Sequence, residues 1–269
     1  MTVEITSKVT NFDDVTMMNG TIKNQHIAMS VYSFIEDGVV IDTGSSSMEK
    51  VFKAFYAEHD FDQIVLTHFH EDHTGNAALL QKEYNKPISI HQMSTHLTKQ
   101  QVRIPLYRKA IWGDVTPFDS TPLPLTFSSK QYEWEVIATP GHSKDHVAFY
   151  NKSTGNLYSG DLFVSPKVKL VLIDENVLDT LDSLKKIQKY DMNALFCCHA
   201  GHVKKPEKMI QLKIDYLEDV QGKVLALAKK GMDVYEITNE LFPNDYPIIN
   251  ASNSEWSAVH MIRAFLNHG

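Results

Sequence analysis

Cysteine is nearly missing from this 269-residue chain: there are two, Cys197 and Cys198, and they are neighbours. Adjacent cysteines on one strand do not reach disulfide geometry, so no disulfide framework is expected and the usage fits a reducing compartment. Also missing is any run approaching the roughly 20 apolar residues that cross a bilayer. The first residues, Met1 to Lys8, lack the basic-then-apolar order of a signal peptide. Together these absences predict a soluble, cytoplasmic protein with no membrane partner. Basic residues are outnumbered, 26 against 33 acidic, for a net charge of -7. Broad binding to a phosphate backbone needs a basic face, so nucleic acid is not an expected partner and a small-molecule substrate is. No internal repeat and no low-complexity tract is present.

What remains is an ordinary globular composition, 43% hydrophobic and 22% charged. Short apolar runs alternate with helical patterns. Ser30 to Ile35 and Gly38 to Ile41 read as paired strands around a turn at Glu36-Asp37-Gly38. Ser46 to His59 reads as an amphipathic helix opened by a capping box of Ser46 and Glu49. A strand at Gln63 to Leu66, a helix from about Gly75 to Tyr84 and a strand at Ile88 to Ile90 follow. Residues 93–129 break this rhythm and read as an insertion, partly helical. Its Arg103, Tyr107, Trp112 and Phe118 either form a lid or complete the core. Strands return at Glu135 to Ala138, Val147 to Tyr150, Leu157 to Ser159 and Leu195 to Cys198, with a helix through Leu178 and Ile187 before the last. From Pro206 the chain reads as wholly helical. Ile210, Ile214, Leu217, Val220, Val224 and Leu227 form one stripe, and a last helix from Ser254 buries Val259, Ile262 and Phe265. The reading divides the chain into a core at 1–205 and a helical region at 206–269, the latter shaping a pocket or mediating a homodimer.

The chemistry concentrates in His68-Phe69-His70-Glu71-Asp72-His73. Imidazole and carboxylate are the usual ligands of zinc and similar divalent ions. After a strand, alternate side chains His68 and His70 can converge on one ion, while Asp72 and His73 turn toward a second. Three further candidates each follow a strand: His142 in Thr139-Pro140-Gly141-His142, Asp161 in Ser159-Gly160-Asp161, and His199 in Cys198-His199-Ala200-Gly201. Loops at strand ends are where layered α/β structures gather their functional groups. His202 is a rival to His199. Cys197 and Cys198, in an apolar strand, read as buried structural thiols.

From about Ser30 to Gly201, this pattern resembles the metallo-β-lactamase superfamily. His-x-His-x-Asp-His is its most specific mark; Pro-Gly-His, an acid after Gly and a histidine after a final strand keep the family's order. Asp42-Thr43-Gly44 is similar to the Asp-Thr-Gly that precedes the motif in many members. The resemblance implies an α/β fold, a four-layer αββα sandwich. It implies two divalent ions, of which zinc leads and manganese, nickel or iron are alternatives. His68, His70 and His142 would hold the first, Asp72, His73 and His199 the second, and Asp161 would bridge them. Asp42 would support the site from behind the ligands, or cap its own loop; His146 would be structural.

The implied activity is a metallohydrolase in which a hydroxide shared by the ions attacks a small ester, thioester, lactone or phosphodiester, with Asp72 orienting it and taking its proton. Asp161 stands where the familiar zinc β-lactamases carry cysteine, which argues against that activity. Val164 stands where similar acyl-homoserine lactonases carry tyrosine, which weakens a lactonase reading. The alternatives are a one-iron oxidoreductase similar to the sulfur (persulfide) dioxygenases and a non-catalytic metal-binding protein; the full ligand set argues against both.

Overall fold

The computed structural model of the protein describes residues 3–23 and 28–267. Its two compact units interleave along the chain. One comprises the chain through Ala138 with Asp145–Val164 and Met192–Lys204; the other comprises Thr139–Lys144, Ser165–Asp191 and the chain from Lys205 onward.

Both large sheets belong to the first unit. One contains β1 (Glu4–Phe12), β2 (Val15–Lys23), β3 (Ala28–Glu36), β4 (Val39–Ile41), β5 (Gln63–Val65), β6 (Ile88–Ile90) and β7 (Thr121–Pro122), side by side in chain order. β1 to β4 pair antiparallel and β4 to β7 parallel. The other contains β8 (Thr126–Ser128), β9 (Glu133–Ala138), β10 (Val147–Asn151), β11 (Asn156–Tyr158), β13 (Ala194–Cys197) and β14 (Gly201–Val203); β12 (Val171–Leu172) lies in the second unit. Helices α1 (Glu49–Ala57), α2 (Glu71–Thr74), α3 (Ala77–Tyr84) and α4 (Leu106–Trp112) complete the first unit.

The pleat explains how the sheets are covered. Successive side chains point to opposite faces, so β2 sends Met17 to one side and Met18 and Ile22 to the other, and β3 does the same with Phe34 against Val31 and Ile35. Met17, Phe34, Ile41 and Val65 meet Trp134, Phe149, Tyr158 and Phe196 of the second sheet in one apolar layer. On the outer face, Met18, Val31 and Ile64 pack with Phe52, Phe55 and Tyr56 of α1 and Leu80 of α3. Each such side chain, once buried, contributes about 1.5–3 kcal/mol.

The first unit departs from the sequence expectations in detail. The hairpin of β1 and β2 was not anticipated: β1 is exposed along nearly its whole length, so it carries no alternation of buried and polar residues. Ser46 does not cap a helix. A 3₁₀ turn at Ser46–Met48 precedes α1, and the Ser46 hydroxyl donates instead to the carbonyls of Asp114 (2.6 Å) and Trp112 (3.4 Å). The metal-motif residues Glu71–Thr74 themselves form a helical turn ahead of α3. The 93–129 stretch contains α4, β7 and β8, and its Trp112 and Phe118 are buried in the core cluster around Phe52; Arg103 is exposed.

Glu36, at the end of β3 and at the sheet edge opposite the C-terminal ends of β4 and β5, is fully buried. It accepts hydrogen bonds from Asn151 (3.1 Å), Thr154 (3.1 Å), Asn156 (2.9 Å) and Tyr158 (2.8 Å). Burial pushes its pKa up, and those four donors pull the other way without cancelling it. A carboxyl raised in the folded state stabilises the fold below its ordinary pKa, and that contribution is lost as pH rises through the folded value. Glu36→Gln, an isosteric neutral acceptor, is therefore expected to gain stability relative to the parent as pH rises from the acidic range to neutrality. Urea denaturation of both proteins at several pH values reads the difference; a pH-independent gap would contradict it.

The second unit contains α5 (Val177–Ile187), α6 (Pro206–Ala228), α7 (Val234–Leu241), α8 (Pro247–Ala251), β15 (Trp256–Ser257) and α9 (Ala258–Leu266). Asn176 caps α5 and accepts from the backbone N–H of Leu178, and Asp233 with Glu236 forms a capping box on α7. α6 buries Ile210, Ile214, Leu217, Val220 and Val224 of the stripe that periodicity predicts, while Leu227 is only half-buried. The region is not wholly helical, because β15 pairs antiparallel with β12. That strand delays α9 to Ala258, and the buried face becomes Ala258, Met261, Ile262 and Phe265, with Val259 only half-buried. No helix of the described residues is long and apolar enough to cross a membrane.

Candidate metal centre

β4, β5 and β6 run parallel, as do β11 and β13, so their C-terminal ends deliver loops to common edges. The side chains stop being apolar there. β5 ends in Thr67 and His68, β4 in Asp42, β11 in Gly160-Asp161 and β13 in Cys198-His199.

His68 is buried, its Nε2 lies 2.9 Å from His70 Nδ1, and its Nδ1 lies 3.0 Å from the Thr67 hydroxyl. Past His70 the chain enters α2, where the Thr74 hydroxyl bonds the His70 carbonyl (2.8 Å) and His73 N–H does likewise (3.1 Å). This tight turn moves Asp72 and His73 away from the strand and toward the other loops.

Asp72, His73, Asp161 and His199 form one compact group, with a ligand atom of each lying within 4.8 Å of the others. His199 Nε2 is 3.1 Å from Asp161 Oδ2 and 3.3 Å from Asp72 Oδ2; His73 Nε2 is 3.5 Å from Asp161 Oδ1 and 3.8 Å from Asp72 Oδ2. Asp72, His73 and Asp161 are buried and His199 is mostly so. Burial alone would raise the carboxyls, but His73 and His199 outweigh it and hold Asp72 and Asp161 well below the usual range. Burial would lower the two imidazoles, and the facing carboxylates hold them well above theirs. His73 Nε2 is buried without a hydrogen bond, facing both carboxylates. A buried imidazole nitrogen that makes no hydrogen bond yet faces two carboxylates, at 3.5 and 3.8 Å, fits a divalent cation between them.

The tautomers agree with that fit. His73 Nδ1 lies 2.8 Å from Asp42 Oδ2, and His199 Nδ1 lies 2.7 Å from the Ser30 carbonyl. Each ring is anchored through Nδ1 and turns Nε2 inward, as ligating histidines do. Asp42 also accepts from Thr67 N–H (2.8 Å), the Thr67 hydroxyl (2.7 Å) and the Cys198 thiol (2.9 Å). It thus both braces a candidate ligand and ties the β5 end in place. In the second unit, His142 Nδ1 lies 2.5 Å from Glu175 Oε1, a carboxylate–imidazole pair of the same kind. His146 is buried and its Nε2 accepts the Asp161 backbone N–H (3.1 Å). Gly160 makes room for that bond: at φ +49, a Cβ there would stand 2.5 Å from His146 Nε2.

His202 lies apart from the four-residue group among the described residues; it sits on β14 with its ring 3.9 Å from that of Phe12. Cys197 and Cys198 are free and buried, and burial pushes both thiols up. Sequence reasoning missed Glu175, Asp145 and the Glu71–Arg108 pair. Asp145 Oδ2 accepts both the Phe69 N–H (2.9 Å) and the Ser94 hydroxyl (2.6 Å), holding the motif loop beside the insertion. Its position three residues after His142 was the only available hint.

Residues 30–199 match the model of the metallo-beta-lactamase superfamily. The chain belongs to that superfamily. Superfamily members bind metal ions, and the histidine and carboxylate groups above are this member's candidate ligands. Among its relatives is the probable metallo-hydrolase YqjP of Bacillus subtilis, 23% identical over 229 residues, covering 70% of this chain and 69% of that protein. Another is a hydroxyacylglutathione hydrolase of Thermosynechococcus vestitus, 28% identical over 137 residues, covering 49% of this chain and 47% of that one. The chain thus spans about half the length of the second. A beta-lactamase domain protein from Burkholderia ambifaria shares the fold at TM-score 0.66 and 16% identity, covering 98% of this chain and 85% of that one. The αββα sandwich expected for this superfamily is therefore the fold class of this member.

Proposed function

We propose that this superfamily member is a hydrolase that uses two divalent ions, zinc foremost, to cleave a small thioester or related ester. The observation that carries this reading is the Asp72, His73, Asp161, His199 group, in which two carboxylates face two inward-turned imidazole nitrogens. In this reading those residues hold one ion. By the order of the family motif, His68, His70 and His142 would hold the other, and Asp161 would be a ligand to both. Ions so held supply Lewis acidity and bring the pKa of a water down toward about 7.

The chain's own groups do the rest. Asp72 orients the attacking water and takes its proton. Glu175 fixes the His142 ring through Nδ1, so that Nε2 serves as its ligating atom. Asp42 and the Ser30 carbonyl do the same for His73 and His199. The thioester is placed first because a hydroxyacylglutathione, the compound in the name of the T. vestitus relative, is an ester of a thiol.

Elemental analysis of purified protein, followed by assay on matched thioester, oxyester, lactone and phosphodiester panels, tests this. About two ions per chain with turnover on thioesters is the expected result. One iron with oxygen consumption on persulfides would replace the hydrolase by an oxidoreductase, and no metal after reconstitution would remove both.

A further inference from the structure

The His-x-His-x-Asp-His pattern leaves residue 71 undefined, yet Glu71 here is only 4% exposed. An ionised carboxylate so buried costs several kcal/mol unless paired. Its partner comes from the 93–129 insertion: Arg108 of α4 donates from Nε to Oε1 and from Nη2 to Oε2, both at 2.7 Å. This is the bidentate fork that makes guanidinium–carboxylate pairs directional as well as strong.

Four residues along α4, hence on the same helix face, Trp112 is buried with its ring 6.1 Å from that of His199. The end of α4 is itself fastened from the other side. Ser47 and Ser46 hydroxyls donate to the carbonyls of Ile111 (2.7 Å) and Asp114 (2.6 Å). Gly113, at φ +84, lies so close that a Cβ would meet Ser46 Oγ at 2.3 Å. One short helix therefore grips two ligand-bearing loops from different sheets: the α2 turn carrying Asp72 and the β13 end carrying His199.

We propose that Arg108 and Trp112 are positioning residues that set the gap between Asp72 and His199, and with it the affinity of the ion held there. Neither touches the reacting atoms. The inference rests on the reading above that Asp72, His73, Asp161 and His199 hold an ion, and it assigns the insertion a part in building that site.

The test is stepwise cobalt(II) loading of metal-stripped wild-type protein, Arg108→Lys and Glu71→Gln, followed by visible absorption. Arg108→Lys keeps the charge and loses the fork; Glu71→Gln keeps the shape and loses the charge. Circular dichroism shows which variants are folded, and Trp112→Phe, which keeps the apolar filling, stands in for any that is not. In wild type two equivalents bind. In folded variants one of the two equivalents is expected to weaken by roughly 10–100-fold, with its ligand-field bands altered, while the other binds as before. A purely structural ion pair would lower thermal stability and leave both affinities and both spectra alone, which overturns the inference while the metal-site reading stands. Absence of cobalt binding by wild type itself would overturn both.

Discussion

Asp161→Ala is expected to fold and yet to lose more than about 100-fold in metal affinity, with turnover falling in step. The magnitude follows from its place. Residues that only support a ligand cost 10–100-fold when removed, whereas Asp161 faces both His73 and His199, at 3.5 and 3.1 Å. The backbone should survive, because the Asp161 N–H bond to His146 and the neighbouring Gly160 turn do not depend on the carboxylate. Metal content by elemental analysis, read beside circular dichroism, checks the outcome. A folded variant with two ions and full turnover would rule out Asp161 as the bridge.

The second large effect is expected from Asp42→Asn, a change of one atom in a fully buried group. Asp42 Oδ2 receives three donors, from Thr67, His73 and Cys198, while Oδ1 receives the Thr67 N–H. An amide offers only one acceptor atom. Whichever way it turns, its NH₂ confronts at least one buried donor, and that mismatch costs about 1–3 kcal/mol. The same substitution stops enforcing the His73 tautomer, so metal affinity should fall by about 10–100-fold. Denaturant melts of the metal-free protein and metal titrations would separate the two effects. If the variant matches wild type in both, Asp42 neither braces the site nor ties its loops.

The contrast between what was legible in the sequence and what was not has physical causes. Parallel strands buried on both faces read as short apolar runs, so β5 at Gln63–Val65, β6 at Ile88–Ile90 and β13 at Ala194–Cys197 were found to within a residue or two. His68, Asp161 and His199 follow such runs within three residues, so their positions at strand ends came with the strands, whereas β9, ahead of His142, is a partly exposed antiparallel strand. β1 was hidden for the opposite reason, since a nearly fully exposed edge strand buries nothing that would leave a period. Partners far apart in sequence were hidden as well. Arg108 meets Glu71 across 37 positions, and Glu175 lies 33 positions from His142. Nothing local distinguishes those acids from surface charges. Ser46 misled because a serine three residues before a glutamate has the same spelling whether it caps a helix or, as here, bonds carbonyls of the insertion.

The Cys198 thiol has a use unconnected with catalysis. It is 1% exposed, donates to Asp42, and is held in its unreactive protonated form by burial and by that carboxylate. An alkylating reagent can reach it only after the β13 end and the Asp42 loop part. The rate of Cys198 labelling, followed by peptide mass so that Cys197 is counted separately, is therefore a stopwatch on local opening of the site. Run with and without added metal, it would report in minutes or hours how firmly an ion locks these loops, with no substrate needed.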